Sequence, residues 1–220
     1  FTLLYSSLVK GHVKSLFRDS EFKFYVIFVL AASAFIMFEL ILRNHYDLEH
    51  AFRSAIFQVV SFITTTGLFN DDAGLWPHVT WVVLALCMFI GACSGSTSGG
   101  IKCVRGVMLI KTVFNEITQR LHPNAVLPLH VSGVNVPERQ RVSLLAFLTV
   151  YLLLILVMSF ILIASGIDNT NSITICLSTL GNVGPTLGLQ IGPTMSWSSL
   201  PAFVKWICSF MMLAGRLEIF

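Results

Sequence analysis

Long apolar segments alternate with short polar ones along this chain, and the lengths of the apolar segments predict which of them cross a membrane. Phe24–Leu42 and Val142–Ala164 are apolar almost throughout. At 1.5 Å per helical residue each is about 28 Å long or longer, which is enough to cross the hydrocarbon of a bilayer. Val79–Ala92 would be only about 21 Å long as a helix and stops short. Leu200–Phe220 begins a further span.

Two segments beside these spans are too polar or too short to cross. Leu48–Ile63 carries charged and amide side chains, and Ser172–Leu180 covers little more than two helical turns. Asp47 precedes the first segment and Asp168-Asn169-Thr170-Asn171 precedes the second, and such side chains cap helix N-termini. The sequence therefore predicts two short helices that enter the membrane and end midway. We interpret Glu39, Glu49 and Asp168 as helix-end or external charges.

Each short helix runs into a turn that contains glycine and hydroxyl or amide residues. The first glycine turn, Ser61–Phe69, contains Thr64-Thr65-Thr66-Gly67, and the second glycine turn, Ser178–Thr186, contains Asn182-Val183-Gly184. The two glycines occupy the same place in their units. The order of span, half-length helix, glycine turn and span occurs twice, which predicts an internal repeat with the layout of a pore loop.

A polar loop interrupts the apolar segment that follows the first glycine turn. Cys93-Ser94-Gly95-Ser96-Thr97-Ser98-Gly99-Gly100 should end any helix, and the span resumes at Ile101–Val113. Backbone released at that depth is tolerated only where protein or a water-filled cavity satisfies it. We therefore expect an intramembrane Gly/Ser loop, Cys93–Gly100. A phosphate-binding loop is excluded because the Gly-Lys-Ser/Thr ending is missing and no strand precedes the cluster.

The composition places the chain among membrane proteins. Of its 220 residues 55% are hydrophobic and 11% charged, and the mean hydropathy is +0.80. Trp76 and Trp81 suit the membrane interface. The five cysteines show no CxxC spacing, so we interpret them as packed thiols and assign no metal or disulfide.

The basic residues predict the orientation in the membrane. Ten of the 14 Lys and Arg lie in two segments that should face the cytoplasm, which leaves the glycine turns toward the outside. These ten residues are Lys10, Lys14, Arg18, Lys23, Lys102, Arg105, Lys111, Arg120, Arg139 and Arg141.

The glycine turns have the chemistry of a cation pathway. A ring of backbone carbonyls can replace the water around an ion without a fixed negative charge that would trap it. Glycine tolerates the dihedral angles that this needs, and a helix C-terminus presents the negative end of its dipole to the ion. The predicted filter residues are Thr65, Thr66, Gly67, Asn182, Val183 and Gly184.

Four segments in order resemble the Trk/Ktr/HKT potassium transporter superfamily, with the TrkH-type membrane subunit as the nearest pattern. They are Ser61–Leu68, Gly91–Lys102, Gly181–Pro185 and Met212–Glu218. The resemblance implies an all-α membrane protein in which four M1–P–M2 repeats (span, re-entrant pore helix, filter loop, span) surround a pseudo-fourfold pore. Residues 1–120 would be the third repeat with an N-terminal interfacial segment, 121–136 a cytoplasmic connection, and 137–220 the fourth repeat, incomplete in its last span.

The same resemblance implies potassium uptake across the bacterial inner membrane, with potassium at Thr65, Thr66, Asn182 and Val183. The turns depart from the Thr-Val-Gly-Tyr-Gly of potassium channels. An intramembrane loop and an arginine would gate the pathway, although Arg216 could instead snorkel to the interface. The implied gate residues are Gly95, Ser96, Thr97, Ser98, Gly99, Gly100, Lys102 and Arg216. The implied partners are a second copy of the chain, a cytoplasmic TrkA-like nucleotide-binding regulatory subunit and the lipid bilayer, with no nucleic acid and no cofactor.

Three alternatives remain at this point. A passive potassium or mixed potassium/sodium channel would use the same kind of carbonyl-lined filter. The sequence does not distinguish free conduction from proton- or sodium-coupled symport. An intramembrane serine protease is suggested by Ser94-Gly95 and Ser98-Gly99, but it needs a nearby base, and the last histidine, His130, lies in the cytoplasmic connection. A membrane scaffold would explain the spans but not the repeated turns. We therefore predict that the chain is not an enzyme.

Overall fold

The computed structural model describes residues 19–96, 98–122, 128–131, 134–188, 192 and 196–217, and this part of the chain is mostly helical. The predicted helical fold class is confirmed at this level. Ala73–Leu75 and Trp197–Ser199 form single 3₁₀ turns, and a two-residue antiparallel pair joins β1 (His130–Val131) to β2 (Val134–Asn135). The helices are α1 (Ser20–Asn44), α2 (Leu48–Ile63), α3 (His78–Ile90), α4 (Cys103–Leu121), α5 (Glu138–Ala164), α6 (Asn169–Gly181) and α7 (Ala202–Leu217).

Within the part of the chain that the structure describes, two helices are long and apolar enough to cross a membrane. They are α1 and α5, whose most apolar windows have mean hydropathies of 2.4 and 2.8. Only 28% and 22% of the residues in these windows are buried in the chain. A core helix of a soluble protein would be mostly buried, so this outward apolar surface fits contact with lipid.

The two short helices pack between the longer ones. α2 packs against α1 and α3, while α6 packs against α3, α5 and α7. Every residue of α6 from Thr174 to Gly181 is buried. Its buried threonine hydroxyls bond within the helix, as where the Thr179 Oγ1 donates to the Ile175 carbonyl at 2.7 Å. α6 can therefore end inside the protein without leaving these polar groups unpaired.

Several element boundaries differ from the sequence prediction, among them the end of α4 and the start of α6. The span predicted to resume at Ile101–Val113 begins as helix at Cys103 and continues to Leu121, and the Thr118 hydroxyl in this extension donates to the Phe114 carbonyl at 2.8 Å. α6 begins at Asn169 rather than Ser172. Asp168 alone acts as the cap, accepting the Thr170 N–H at 3.1 Å, so the next three polar residues lie inside the helix.

Trp76 and Trp81, which the sequence suggested for the membrane interface, are buried inside the chain. Their side chains are 2% and 7% exposed. The Trp81 indole donates to the Ala73 carbonyl at 2.8 Å, and the Trp76 indole donates to Asp71 at 3.3 Å. Both rings therefore fix the turn between α2 and α3, since buried indole N–H groups take a local partner.

We expect Trp81→Phe to destabilise the full-length protein by about 1 to 2 kcal/mol, because it removes a buried hydrogen bond and part of a packed ring. Thermal unfolding in detergent measures the effect. Trp206→Phe is the matched control, since Trp206 is 77% exposed and should leave the melting temperature unchanged. Equal shifts in both variants would contradict the structural role of Trp81.

Candidate functional site

The two glycine turns share one backbone conformation. Thr65 and Asn182, the matching residues two positions before each glycine, are both left-handed with φ of 54°. The glycines that follow, Gly67 and Gly184, have φ of 71° and 106°. Left-handed angles are unfavourable for a threonine, so their recurrence at matching positions indicates a constrained turn rather than a loose loop.

The hydrogen bonds that close the turns also correspond. The Thr66 N–H donates to the Ser61 carbonyl at 2.9 Å, and the Val183 N–H donates to the Ser178 carbonyl at 2.9 Å. The two serine side chains support their turns as well. The Ser61 hydroxyl donates to the Leu68 carbonyl, and the Ser178 hydroxyl accepts from the Gly184 N–H at 3.1 Å.

Sequence reasoning did not single out these two serines. Each precedes its turn's glycine, Gly67 or Gly184, by the same six positions, and this shared spacing was the signal that could have found them. Because Ser61 and Ser178 each bond to the far side of a turn, they set its shape from within the protein.

The two turns meet in the structure. A Cβ atom built on Gly67 would lie 2.1 Å from the Val183 carbonyl oxygen and 2.9 Å from the Pro185 ring. No side chain fits in that space, so only glycine allows the first turn to approach the backbone of the second. Thr66 and Gly184 are exposed, whereas Val183 is buried. All six predicted filter residues thus belong to one pair of adjoining turns.

The Gly/Ser loop lies against the second glycine turn. A Cβ atom on Gly99 would be 2.2 Å from the Gly181 carbonyl oxygen and 3.4 Å from the Asn182 Cβ. The ends of the loop are fixed by backbone bonds from Ile101 to Phe89 and from Cys103 to Ala92, at 3.1 and 3.0 Å. The loop is therefore a packed segment with hydrogen-bonded ends rather than a helix kink.

Serine side chains form hydrogen bonds inside the loop. The Ser98 hydroxyl accepts from the Ala92 N–H at 3.3 Å and lies 2.6 Å from the Ser96 hydroxyl. Ser98 and Gly99 are buried, while Gly95 is exposed at the tip. The predicted gate residue Thr97 lies outside the described residues.

α7 packs against the C-terminal end of α6 and the second glycine turn. A Cβ atom on Gly215 would lie 2.0 Å from the Leu180 carbonyl oxygen, and the Asn182 side chain donates to the Met212 carbonyl at 3.2 Å. Arg216, the next residue, is exposed. Lys102, whose φ is 73°, is half-buried where the Gly/Ser loop enters α4.

The acidic side chains that the sequence assigned to helix ends or to the external face have local partners. Glu39 pairs with Arg43 at 2.8 Å, Glu49 faces Arg53 at 3.9 Å, and Asp168 caps α6. Burial, followed by the nearby Asp71 carboxylate, raises the pKa of the Tyr46 phenol, so this group stays neutral at physiological pH.

Membrane-length apolar helices, together with two adjoining glycine turns of matching backbone geometry, are features of helical membrane transport proteins. The family model of TrkH, described as a cation transport protein, matches residues 4–220. The chain belongs to the TrkH family, which confirms the resemblance stated from the sequence. This is a family of transporters, which confirms that the chain is not an enzyme.

Similar proteins support the same placement. The chain is 32% identical over 220 residues to the "Trk system potassium uptake protein TrkH" of Halomonas elongata, covering 100% of the chain and 45% of that protein. It is 34% identical over 221 residues to the Escherichia coli protein TrkG, again covering 100% of the chain and 45% of the relative. The chain thus spans about half the length of the curated relatives it matches.

A solved structure has the same fold. The potassium transporter TrkH from Vibrio parahaemolyticus superposes with a TM-score of 0.89 at 32% sequence identity. The match covers 100% of this chain and 47% of that one.

We expect Gly215→Ala to destabilise the full-length protein, although alanine normally stabilises a helix by about 1 kcal/mol relative to glycine. The added methyl group would push α7 away from the Leu180 carbonyl, at a cost of roughly 1 to 3 kcal/mol. Thermal unfolding in detergent shows whether the substitution lowers or raises the melting temperature. Gly106→Ala in α4 is the control, because its Cβ would meet only the Phe24 ring at 3.8 Å. A higher melting temperature for Gly215→Ala would contradict the contact.

Proposed function

We propose that the two glycine turns form half of the selectivity filter of a potassium uptake protein in the bacterial cytoplasmic membrane. The main support is the contact between Gly67 and the Val183 carbonyl, which brings the two turns together. Potassium is proposed as the ion because the relatives are named Trk system potassium uptake proteins.

The main-chain oxygens of Thr65, Thr66, Asn182 and Val183 replace water around a potassium ion. Neutral carbonyls hold the ion weakly enough for it to leave, which a carboxylate site would not. α2 and α6 end at the turns, so the negative ends of their dipoles favour a cation there. Gly67 and Gly184 provide the backbone angles that direct the chain through each turn.

The complete pore needs two more turns from the remainder of the protein. Residues 1–120 and 137–220 act as the third and fourth M1–P–M2 repeats, with 121–136 as the cytoplasmic connection. The matching angles and hydrogen bonds of the two turns support this repeat. The other two repeats would supply the remaining oxygens around a pseudo-fourfold axis.

The Gly/Ser loop gates the pathway on the inner side of the filter. Its support is the packing of Gly99 on Gly181, directly beside the second glycine turn. Lys102 and Arg216 add positive charge near the path, which opposes the passage of a cation where water is scarce. Movement of the loop away from the turn would then open the path.

The full-length protein acts as a homodimer with a TrkA-like nucleotide-binding regulatory subunit on its cytoplasmic face. This proposal rests on membership of the family. The nucleotide binds to the partner.

We expect Gly67→Ser in the full-length protein to reduce the preference for potassium over sodium. Its side chain would strike the Val183 carbonyl and displace an ion ligand. A tenfold loss corresponds to about 1.4 kcal/mol of discrimination. Rubidium uptake, with potassium and sodium as competitors, in uptake-deficient cells measures the preference.

Gly166→Ser is the matched control for this substitution. Gly166 also has a positive φ, 90°, but it lies between α5 and α6 and its Cβ would meet nothing within 4 Å. Gly166→Ser should therefore carry the same backbone strain without a change in ion preference. If Gly67→Ser keeps the parent's potassium/sodium ratio, the filter assignment is wrong.

We expect deletion of Gly95 and Ser96 to raise potassium flux, because a shorter Gly/Ser loop cannot cover the path below the second glycine turn. The tip tolerates the change best, since Gly95 has no neighbour within 4 Å of a Cβ position. Initial rates of rubidium uptake at equal expression provide the measurement, with the melting temperature as the folding control. Normal or reduced flux in a folded variant would refute gating by the loop.

A further inference from the structure

The tip of the Gly/Ser loop is bonded to the start of α1. The Glu21 carboxylate accepts two hydrogen bonds from one residue, the Ser94 N–H at 2.5 Å and the Ser94 hydroxyl at 2.8 Å. The two residues are 73 positions apart in the sequence. A half-buried carboxylate that accepts two donors makes a stronger and more directional contact than a neutral acceptor would.

Glu21 is not needed as the cap of its own helix. Asp19 occupies the N-cap position and its side chain accepts the Glu21 N–H at 2.9 Å. The Glu21 side chain is therefore available for a partner outside α1.

The loop is held in two different ways along its length. Its second half is packed, with Gly99 on the Gly181 carbonyl and Ile101 bonded to the Phe89 carbonyl. Its tip has little packing, since Gly95 is exposed and has open space around it. At the tip, the contact with Glu21 therefore takes the place of packing.

We propose that Glu21 is a positioning residue that latches the tip of the Gly/Ser loop to the N-terminal end of α1. The latch holds the loop in its packed position beside the second glycine turn. The effect of the latch on ion flux rests on the proposed gating function. The effect of the latch on the position of the loop does not depend on that function. The two can be tested separately.

Native cysteines report the position of the loop. Cys93, next to Ser94, is 1% exposed. Cys176 in α6 and Cys208 in α7 are also buried, at 0% and 3%, but they are distant from the tip in the sequence. The rate at which a buried thiol reacts follows both the fraction of time its surroundings are open and the fraction present as thiolate. Glu21→Gln removes the same nearby charge as Glu21→Ala but keeps an acceptor for Ser94, so it should label Cys93 more slowly than Glu21→Ala, and equal rates in the two variants would overturn the latch.

The experiment uses the full-length protein in membranes, a small membrane-permeant maleimide, and mass spectrometry of each cysteine. We expect Glu21→Ala to speed the labelling of Cys93 by about tenfold, equivalent to about 1.4 kcal/mol in the opening equilibrium. Labelling of Cys176 and Cys208 should not change. Glu138→Ala is the matched control, since Glu138 is the acidic first-turn residue of α5. It should leave all labelling rates unchanged.

A double-mutant cycle separates the latch from a general structural role. Ser94→Ala keeps the backbone donor and loses the hydroxyl, so Cys93 labelling should rise by less than in Glu21→Ala. The double variant should label no faster than Glu21→Ala alone, because both substitutions act on one contact. Additive effects would show that the residues act independently and would overturn the latch.

The labelling pattern and the uptake rate together distinguish the latch from the gate. Unchanged Cys93 labelling in Glu21→Ala overturns the latch. An equal rise at Cys93, Cys176 and Cys208 indicates general loosening and overturns it as well. Faster labelling at Cys93 alone, with increased rubidium uptake, supports both the latch and the gate. Faster labelling at Cys93 alone with unchanged uptake supports the latch and refutes gating by the loop.

Discussion

Close approach between backbones at the end of α6 is the constraint on which the rest of the site depends. The Gly181 and Leu180 carbonyls are approached by Gly99 of the Gly/Ser loop and Gly215 of α7, and the Val183 carbonyl is approached by Gly67. In each case a Cβ would lie within 2.2 Å of an oxygen. Side chains cannot occupy these spaces, so three separate segments converge on one helix end only because glycine stands at each contact.

This convergence explains how irregular backbone persists among apolar helices. The turns and the loop bond to Ser61, Ser178 and Ser98, so their polar groups are satisfied by the protein rather than by lipid. The same arrangement connects the second glycine turn and the Gly/Ser loop. A loop that packs on Gly181 is adjacent to Asn182, so a displacement of the loop changes the surroundings of the second glycine turn directly.

Much of this could be predicted from the sequence because it depends on local rules. Apolar length determined the two spans, and polarity determined the short helices, of which Leu48–Ile63 was predicted with its observed bounds. The loss of helix across Cys93–Gly100 followed from the density of glycine and serine, and the flanking helices end at Ile90 and begin at Cys103. The TrkH family was evident from four motifs in order. Local rules were weaker at helix ends, where α4 continues past Val113 to Leu121.

By itself, then, the sequence determined which segments are apolar enough for lipid, where helices break, and which turns are alike. Only the tertiary structure decided which segments touch. The contact between Gly67 and Val183, the burial of Trp76 and Trp81, and the bond from Glu21 to Ser94 join residues whose pairing no local pattern encodes. The physical reason is that glycine, tryptophan and glutamate each permit several environments, and the packing of distant helices selects among them.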